Sequence, residues 1–166
     1  MSAPSSEAPE IFDRALLRRR RKRALAQGFA DFLHAAVVEE LLARLSVVQR
    51  EFRHAVDLGG PSAALARALA DPGRDVLRVS DDLAFAGEGR FLLVQDETLP
   101  IEPASADLVV SALALQWVND LPGLLAQIRR ALMPDGLLLA GLVGNASLAE
   151  LRASFTAAEA EMEGGA

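Results

Sequence analysis

The ten residues His54-Ala55-Val56-Asp57-Leu58-Gly59-Gly60-Pro61-Ser62-Ala63 encode a strand, a tight turn and the approach to a helix. HAVDL (54–58) is a short apolar run closed by a carboxylate and two glycines. That pattern predicts a buried strand whose chain then turns sharply. The following Ala/Leu-rich segment, 62–70, predicts a helix, with Pro61 at its start.

The same alternation continues outward. DVLRV (75–79), FLLVQ (91–95), DLVVSAL (107–113) and LLLAGLV (137–143) predict four further strands. Each is apolar nearly throughout, as expected for a parallel sheet covered on both faces. A helix is predicted over 121–132, ended by Met133-Pro134-Asp135-Gly136, and another over 147–163. Residues 80–90 are short for a crossover helix and predict a single irregular turn. Upstream, residues 11–25 predict a helix with Asp13 as its cap, and a second helix follows Gly28 with Asp31 as cap. The fold class is therefore α/β: a Rossmann-like, mostly parallel sheet of about five strands with N-terminal helices. Residues 1–10 read as a flexible tail, 11–50 as a helical segment and 51–166 as the Rossmann-like domain.

Composition narrows the function. The chain has no cysteine, which excludes disulfides, a thiolate nucleophile and cysteine-based metal sites. Its two histidines, His34 and His54, lie on different predicted elements, so no metal site is expected. His34 is expected to be structural, and His54, at the wrong end of its strand, to have no role. Residues 1–23 carry seven basic side chains against three acids, net +4, leaving −10 on the rest of a chain of overall charge −6. An acidic body is not a nucleic-acid footprint. No apolar run is long enough to span a bilayer, and no secretory leader is visible, so a cytoplasmic protein is expected. The Arg14–Arg23 run reads as a solvated helix face, as a dock for an acidic protein partner, or as a dock for the chain's own acidic body.

Several segments, in order, resemble class I S-adenosylmethionine-dependent methyltransferases of type 11. Asp57-Leu58-Gly59 resembles the start of their glycine-rich motif, usually DxGxGxG. Gln95-Asp96-Glu97-Thr98-Leu99-Pro100-Ile101 resembles the segment after the third strand, Asp107-Leu108-Val109-Val110-Ser111 the fourth-strand motif, and Leu132-Met133-Pro134-Asp135-Gly136 the turn before the fifth strand. Ile11-Phe12-Asp13-Arg14, Leu115-Gln116-Trp117-Val118-Asn119-Asp120 and Glu150-Leu151-Arg152 narrow the resemblance. They point to bacterial relatives of the mitochondrial complex I assembly factor with a methyltransferase fold, itself regarded as a protein arginine hydroxylase. The malonyl-carrier-protein O-methyltransferases are similar at a greater distance.

The resemblance implies S-adenosylmethionine as cofactor. It would be held by Asp57, Gly59, Gly60, Asp81, Asp96 and Glu97, with Gln116 and Trp117 facing the substrate. It names no catalytic residue. It also implies two more strands beyond residue 166, so the domain looks incomplete, and an exposed fifth-strand edge favours pairing with another chain. The departures bear on the cofactor. Gly60, Pro61 and Ala63 stand where the family has Cys, Gly and Gly. Pro61 removes an N–H donor and fixes φ, and Ala63 restricts the loop. The ribose-binding acid after the second strand is displaced: Ser80 holds its place, and Asp81 and Asp82 follow, either reaching the ribose or remaining solvated. The readings are methyl transfer to an unknown acceptor, a binding or assembly protein that has lost the cofactor, and, by family analogy alone, arginine hydroxylation.

Overall fold

The computed structural model describes residues 10–95, 97–144 and 147–163. Two helices, α1 (Arg14–Ala26) and α2 (Phe32–Ser46), precede the sheet. Then follow β1 (His54–Leu58), α3 (Ala64–Leu69), β2 (Asp75–Ser80), β3 (Arg90–Leu93), β4 (Ala106–Ala112), α4 (Leu121–Ala131), β5 (Leu132–Gly141) and α5 (Ala149–Glu163). Single 3₁₀ turns lie at Leu83–Phe85 and Leu115–Trp117. The first is the irregular turn expected between the second and third strands.

The strand order is β3-β2-β1-β4-β5, and every pairing is parallel. The order reverses between β1 and β4, so the carboxyl ends of those two strands diverge and leave a crevice. Alternation along the strands feeds two cores. Val56, Leu58, Val79 and Val109 pack against Leu124, Ile128 and Ala131 of α4. Ala55, Leu108 and Val110 pack against Val38 and Leu41 of α2 and Leu65 and Leu69 of α3. Burial of each such aliphatic side chain contributes about 2 kcal/mol. Gly141 lets β5 approach α2 closely, since a Cβ there would lie 2.5 Å from Val37 Cγ1.

Several expected boundaries move. The fifth strand begins at Leu132 rather than 137, because the Met133–Gly136 turn is absorbed as an irregularity with Asp135 at φ 61°. The third strand ends at Leu93, although Val94 N still donates to Ser80 O at 3.0 Å. Asp13 caps α1, accepting from Leu16 N, whereas Asp31 is already helical and makes no side-chain cap. Pro61 does not start a helix. It stays in the loop, and α3 begins three residues later. Every described side chain of α5 is exposed.

Candidate cofactor pocket at the strand crossover

β1 delivers Gly59 and Gly60 to the crevice. Gly59 and Gly60 have φ of +72° and +86°, a region that side chains with a Cβ avoid. The wall behind them is equally demanding. A Cβ on Gly59 would lie 2.7 Å from Ala114 Cβ, and one on Gly60 would lie 3.1 Å from Ala112 O. The loop thus keeps its first two glycines in the conformation that brings backbone up to the cavity.

The cavity has a volume of about 330 Å³. Its walls come from Leu58, Gly59 and Gly60 at the end of β1, Val79, Ser80 and Asp81 at the end of β2, Val94 and Glu97 after β3, and Leu113, Ala114, Leu115 and Trp117 after β4. Arg14, Leu17 and Arg21 of α1 close it above, and Leu33 and His34 of α2 close one side. Leu113 and Glu97, both on its rim, are non-glycine residues held at φ 55° and 57°. Local strain of that kind concentrates at functional sites.

Asp57 does not face the cavity. It is 1% exposed and forms an ion pair with the equally buried Arg78, its register partner on β2. Arg78 also donates from Nε to Phe85 O at 2.5 Å, from one terminal nitrogen to Gly59 O at 3.1 Å, and from the other to Gly60 O at 3.3 Å. One guanidinium therefore ties β1, the glycine turn and the 3₁₀ turn together. Burial outweighs the attraction of Arg78 and pushes the Asp57 carboxyl up to about 6. Arg78 was hidden in the sequence as one polar residue inside DVLRV. A charge within an otherwise buried strand is the signal that could have found it.

The other expected carboxylates divide. Asp81 lines the cavity and pairs with Arg21 at 3.3 Å and Arg14 at 3.6 Å. Asp82 turns away, capping the 3₁₀ turn through Ala84 N and binding Lys22 Nζ at 2.8 Å. Hydrogen bonding from Lys22 lowers its pKa. Glu97 accepts from Asn119 N and Asp120 N, both at 2.8 Å, and pairs with Arg14 at 2.9 Å. Asp96 lies outside the described residues. Asp107 serves the opposite end of the sheet, accepting from Arg53 N and His54 N.

The basic helix thus docks on the chain's own acidic edge. Arg21 also donates to Gly60 O at 2.6 Å and lies 4.4 Å from the centroid of the Phe85 ring. At the start of α1, Asn119 accepts from Ile11 N and Phe12 N and donates to Phe12 O. Phe12 meets Trp117 edge to face at 5.6 Å. Trp117, expected to face the substrate, lines the cavity and is 44% exposed. Gln116 does not offer its amide outward: Nε2 donates to Leu113 O at 3.1 Å and Oε1 is buried. A 3₁₀ turn directs consecutive side chains about a third of a circle apart, so Trp117 and Gln116 cannot share a direction.

His34, expected to be structural, is buried beside the glycine turn. It is 3% exposed, lines the cavity, and neither ring nitrogen has a hydrogen-bond partner. Burial lowers its pKa, aided by the nearby positive charge of Arg78, so it stays neutral.

The methyltransferase domain family model matches residues 55–140, from β1 through β5. The chain belongs to that family. The chain is 36% identical over 168 aligned positions to the mitochondrial arginine-hydroxylase NDUFAF5 of Homo sapiens, a match covering 93% of this chain and 48% of that protein. It is 32% identical over 163 residues to the malonyl-[acyl-carrier protein] O-methyltransferase of Methylovorus sp. (strain MP688), covering 87% and 55%. The chain therefore spans about half the length of the curated relatives it matches. Among solved structures, the Burkholderia thailandensis 1,6-didemethyltoxoflavin-N1-methyltransferase, with bound 1,6-didemethyltoxoflavin and S-adenosylhomocysteine, superposes with a TM-score of 0.60 at 19% identity. That match covers 84% of this chain and 66% of that one, and it shows a shared fold.

Proposed function

We propose that the domain binds S-adenosylmethionine in the crossover cavity and transfers its methyl group to an acceptor entering beside Trp117. The observation that carries this reading is the pair Gly59–Gly60. Both hold positive φ against the end of β4, where a Cβ on Gly59 would collide with Ala114 and one on Gly60 would press on Ala112 O. Buried polar atoms fit a ligand there as well. Ser80 Oγ, at the end of β2, lines the cavity without a hydrogen-bond partner.

On this reading Ser80 and Asp81 meet the sugar hydroxyls, and Val79, Val94, Leu115 and Leu124 supply apolar walls. The cofactor brings an activated methyl group, and the protein aligns it and excludes water. The second task falls to α1, clamped over the cavity by Arg14, Arg21 and Asn119. The exposed Arg19, Arg20 and Arg23 on its outer side remain for an acidic protein partner, as in an assembly role. The outer edge of β5 is the place for pairing with a further chain. A cytoplasmic setting is part of this proposal; among the described residues no helix is long and apolar enough to cross a membrane.

A second reading, a non-catalytic binding protein, is favoured by two observations. Arg14 and Arg21 already occupy Asp81 and Glu97, and the loop carries Pro61 and Ala63. Calorimetric titration with S-adenosylmethionine and S-adenosylhomocysteine separates the two. Saturable binding supports the methyltransferase reading, and no heat from a folded sample at millimolar ligand supports the second.

A further inference from the structure

The orphaned imidazole of His34 has a chemistry that the rest of the cavity lacks. Its Nε2 stands 3.5 Å from the point where a Cβ on Gly60 would sit, so the ring lies over the glycine turn. Both of its nitrogens are buried and without a hydrogen-bond partner. A neutral imidazole presents one N–H donor and one bare acceptor. Leaving both unsatisfied in an apolar enclosure is costly, and nearby residues such as Phe29, Leu33 and Leu58 have no side-chain group to offer. Phe29 meets the ring edge to face at 6.5 Å.

The turn beneath has lost one donor, since Pro61 has no N–H. A ligand group placed over Gly60 therefore gains from a polar contact supplied by another element. An α-amino acid group offers a carboxylate that accepts and an ammonium that donates. That is the complement of an imidazole with one donor and one acceptor.

Resting on the cofactor reading above, we infer that His34 is a ligand-binding residue that holds the amino-acid end of the ligand over the Gly59–Gly60 turn, replacing a contact the altered loop no longer makes. The sugar end is left to Ser80 and Asp81, at the tip of β2. His34 touches the ligand at a distance from the transferred methyl group, so its effect is on affinity and on which ligands are accepted.

The test compares two ligands on the full chain. S-adenosylhomocysteine carries the amino-acid end, whereas 5′-methylthioadenosine shares the nucleoside and thioether but lacks it. Calorimetric titration of His34→Leu is expected to show at least a tenfold loss of S-adenosylhomocysteine affinity and no loss for methylthioadenosine. His34→Gln, which retains a donor and an acceptor, is expected to recover most of the affinity. The melting temperature of His34→Leu is expected to equal or exceed that of the parent, because an unsatisfied polar ring is replaced by an apolar side chain. Unchanged S-adenosylhomocysteine affinity in His34→Leu, or equal loss of both ligands with a lowered melting temperature, overturns the inference and leaves the cofactor reading intact. Failure of the parent chain to bind either ligand overturns both.

Discussion

Asp57 and Arg78 are direct neighbours across the β1–β2 pairing, and each side chain is 1% exposed. Their ion pair is the polar centre of the sheet's α2/α3 face. Arg78 also serves the carbonyls of Gly59, Gly60 and Phe85, so the pair fixes the turn that shapes the cavity floor.

Arg78→Met should therefore destabilise the fold strongly, by about 3–5 kcal/mol, because it leaves a buried carboxylate and the carbonyls of Gly59 and Phe85 without their side-chain donor, Gly60 O keeping Arg21. Replacing both partners, as in Asp57→Leu with Arg78→Met, should cost less than the sum of the two single changes. Urea denaturation of the four proteins measures the coupling. Strict additivity would show that the pair is not an energetic unit.

The pH dependence of this pair runs opposite to that of an ordinary salt-bridged carboxylate. Burial raises Asp57 from 3.8 to about 6 in the folded state. Between those values the folded chain binds more protons than the unfolded chain, so this group's contribution to stability falls as pH rises from about 4 through 6. The melting temperature of the parent relative to that of Asp57→Asn should fall across that range. Parallel curves would contradict the shift.

Gly60→Ala and Gly28→Ala should differ although both positions have positive φ. At Gly28 a Cβ meets nothing within 4 Å, so the change should cost only the left-handed strain of about 1–2 kcal/mol. At Gly60 a Cβ also presses on Ala112 O and approaches His34 Nε2. Gly60→Ala should cost more stability and reduce S-adenosylhomocysteine binding at least tenfold. Thermal melting and titration of both variants check the contrast.

Asn119→Ala should release the start of α1 while leaving the sheet intact. It removes the acceptor for Ile11 N and Phe12 N and the donor to Phe12 O. Hydrogen exchange at residues 11–17 should accelerate, with β1 and β4 amides unchanged. Uniform acceleration would instead place Asn119 in the global stability of the fold.

Trp117 is the chain's single tryptophan and reports on the cavity directly. Saturation with S-adenosylhomocysteine should shift or quench its emission, and the fluorescence and calorimetric midpoints should agree. Binding by calorimetry with no change in emission would place the ligand away from the β4 end of the pocket.

Much of this architecture was written locally. Buried parallel strands need continuous apolar runs, and HAVDL, DVLRV and DLVVSAL supply them, so the strand cores and the glycine turn followed from sequence patterning. The family resemblance, carried by ordered motifs in one chain, agrees with the match over residues 55–140. Boundaries at Leu132 and Ala64 moved because bulges and loop conformations answer to neighbouring strands rather than to local pattern.

What only the tertiary structure decided are the partnerships between distant segments. Sequence placed Asp57 at the end of a strand, but the register of β1 on β2 turned it to Arg78, 21 residues away, rather than to the cavity. Sequence left the arginine run with three destinations, and the strand tips bearing Asp81 and Glu97 gathered Arg14 and Arg21 onto the cavity roof. His34 read as an ordinary helix residue until the packing of α2 beside the glycine turn enclosed it. Periodicity determines which face of an element is apolar. Which charge meets which carboxylate depends on how the elements stack, and that is a property of the whole fold.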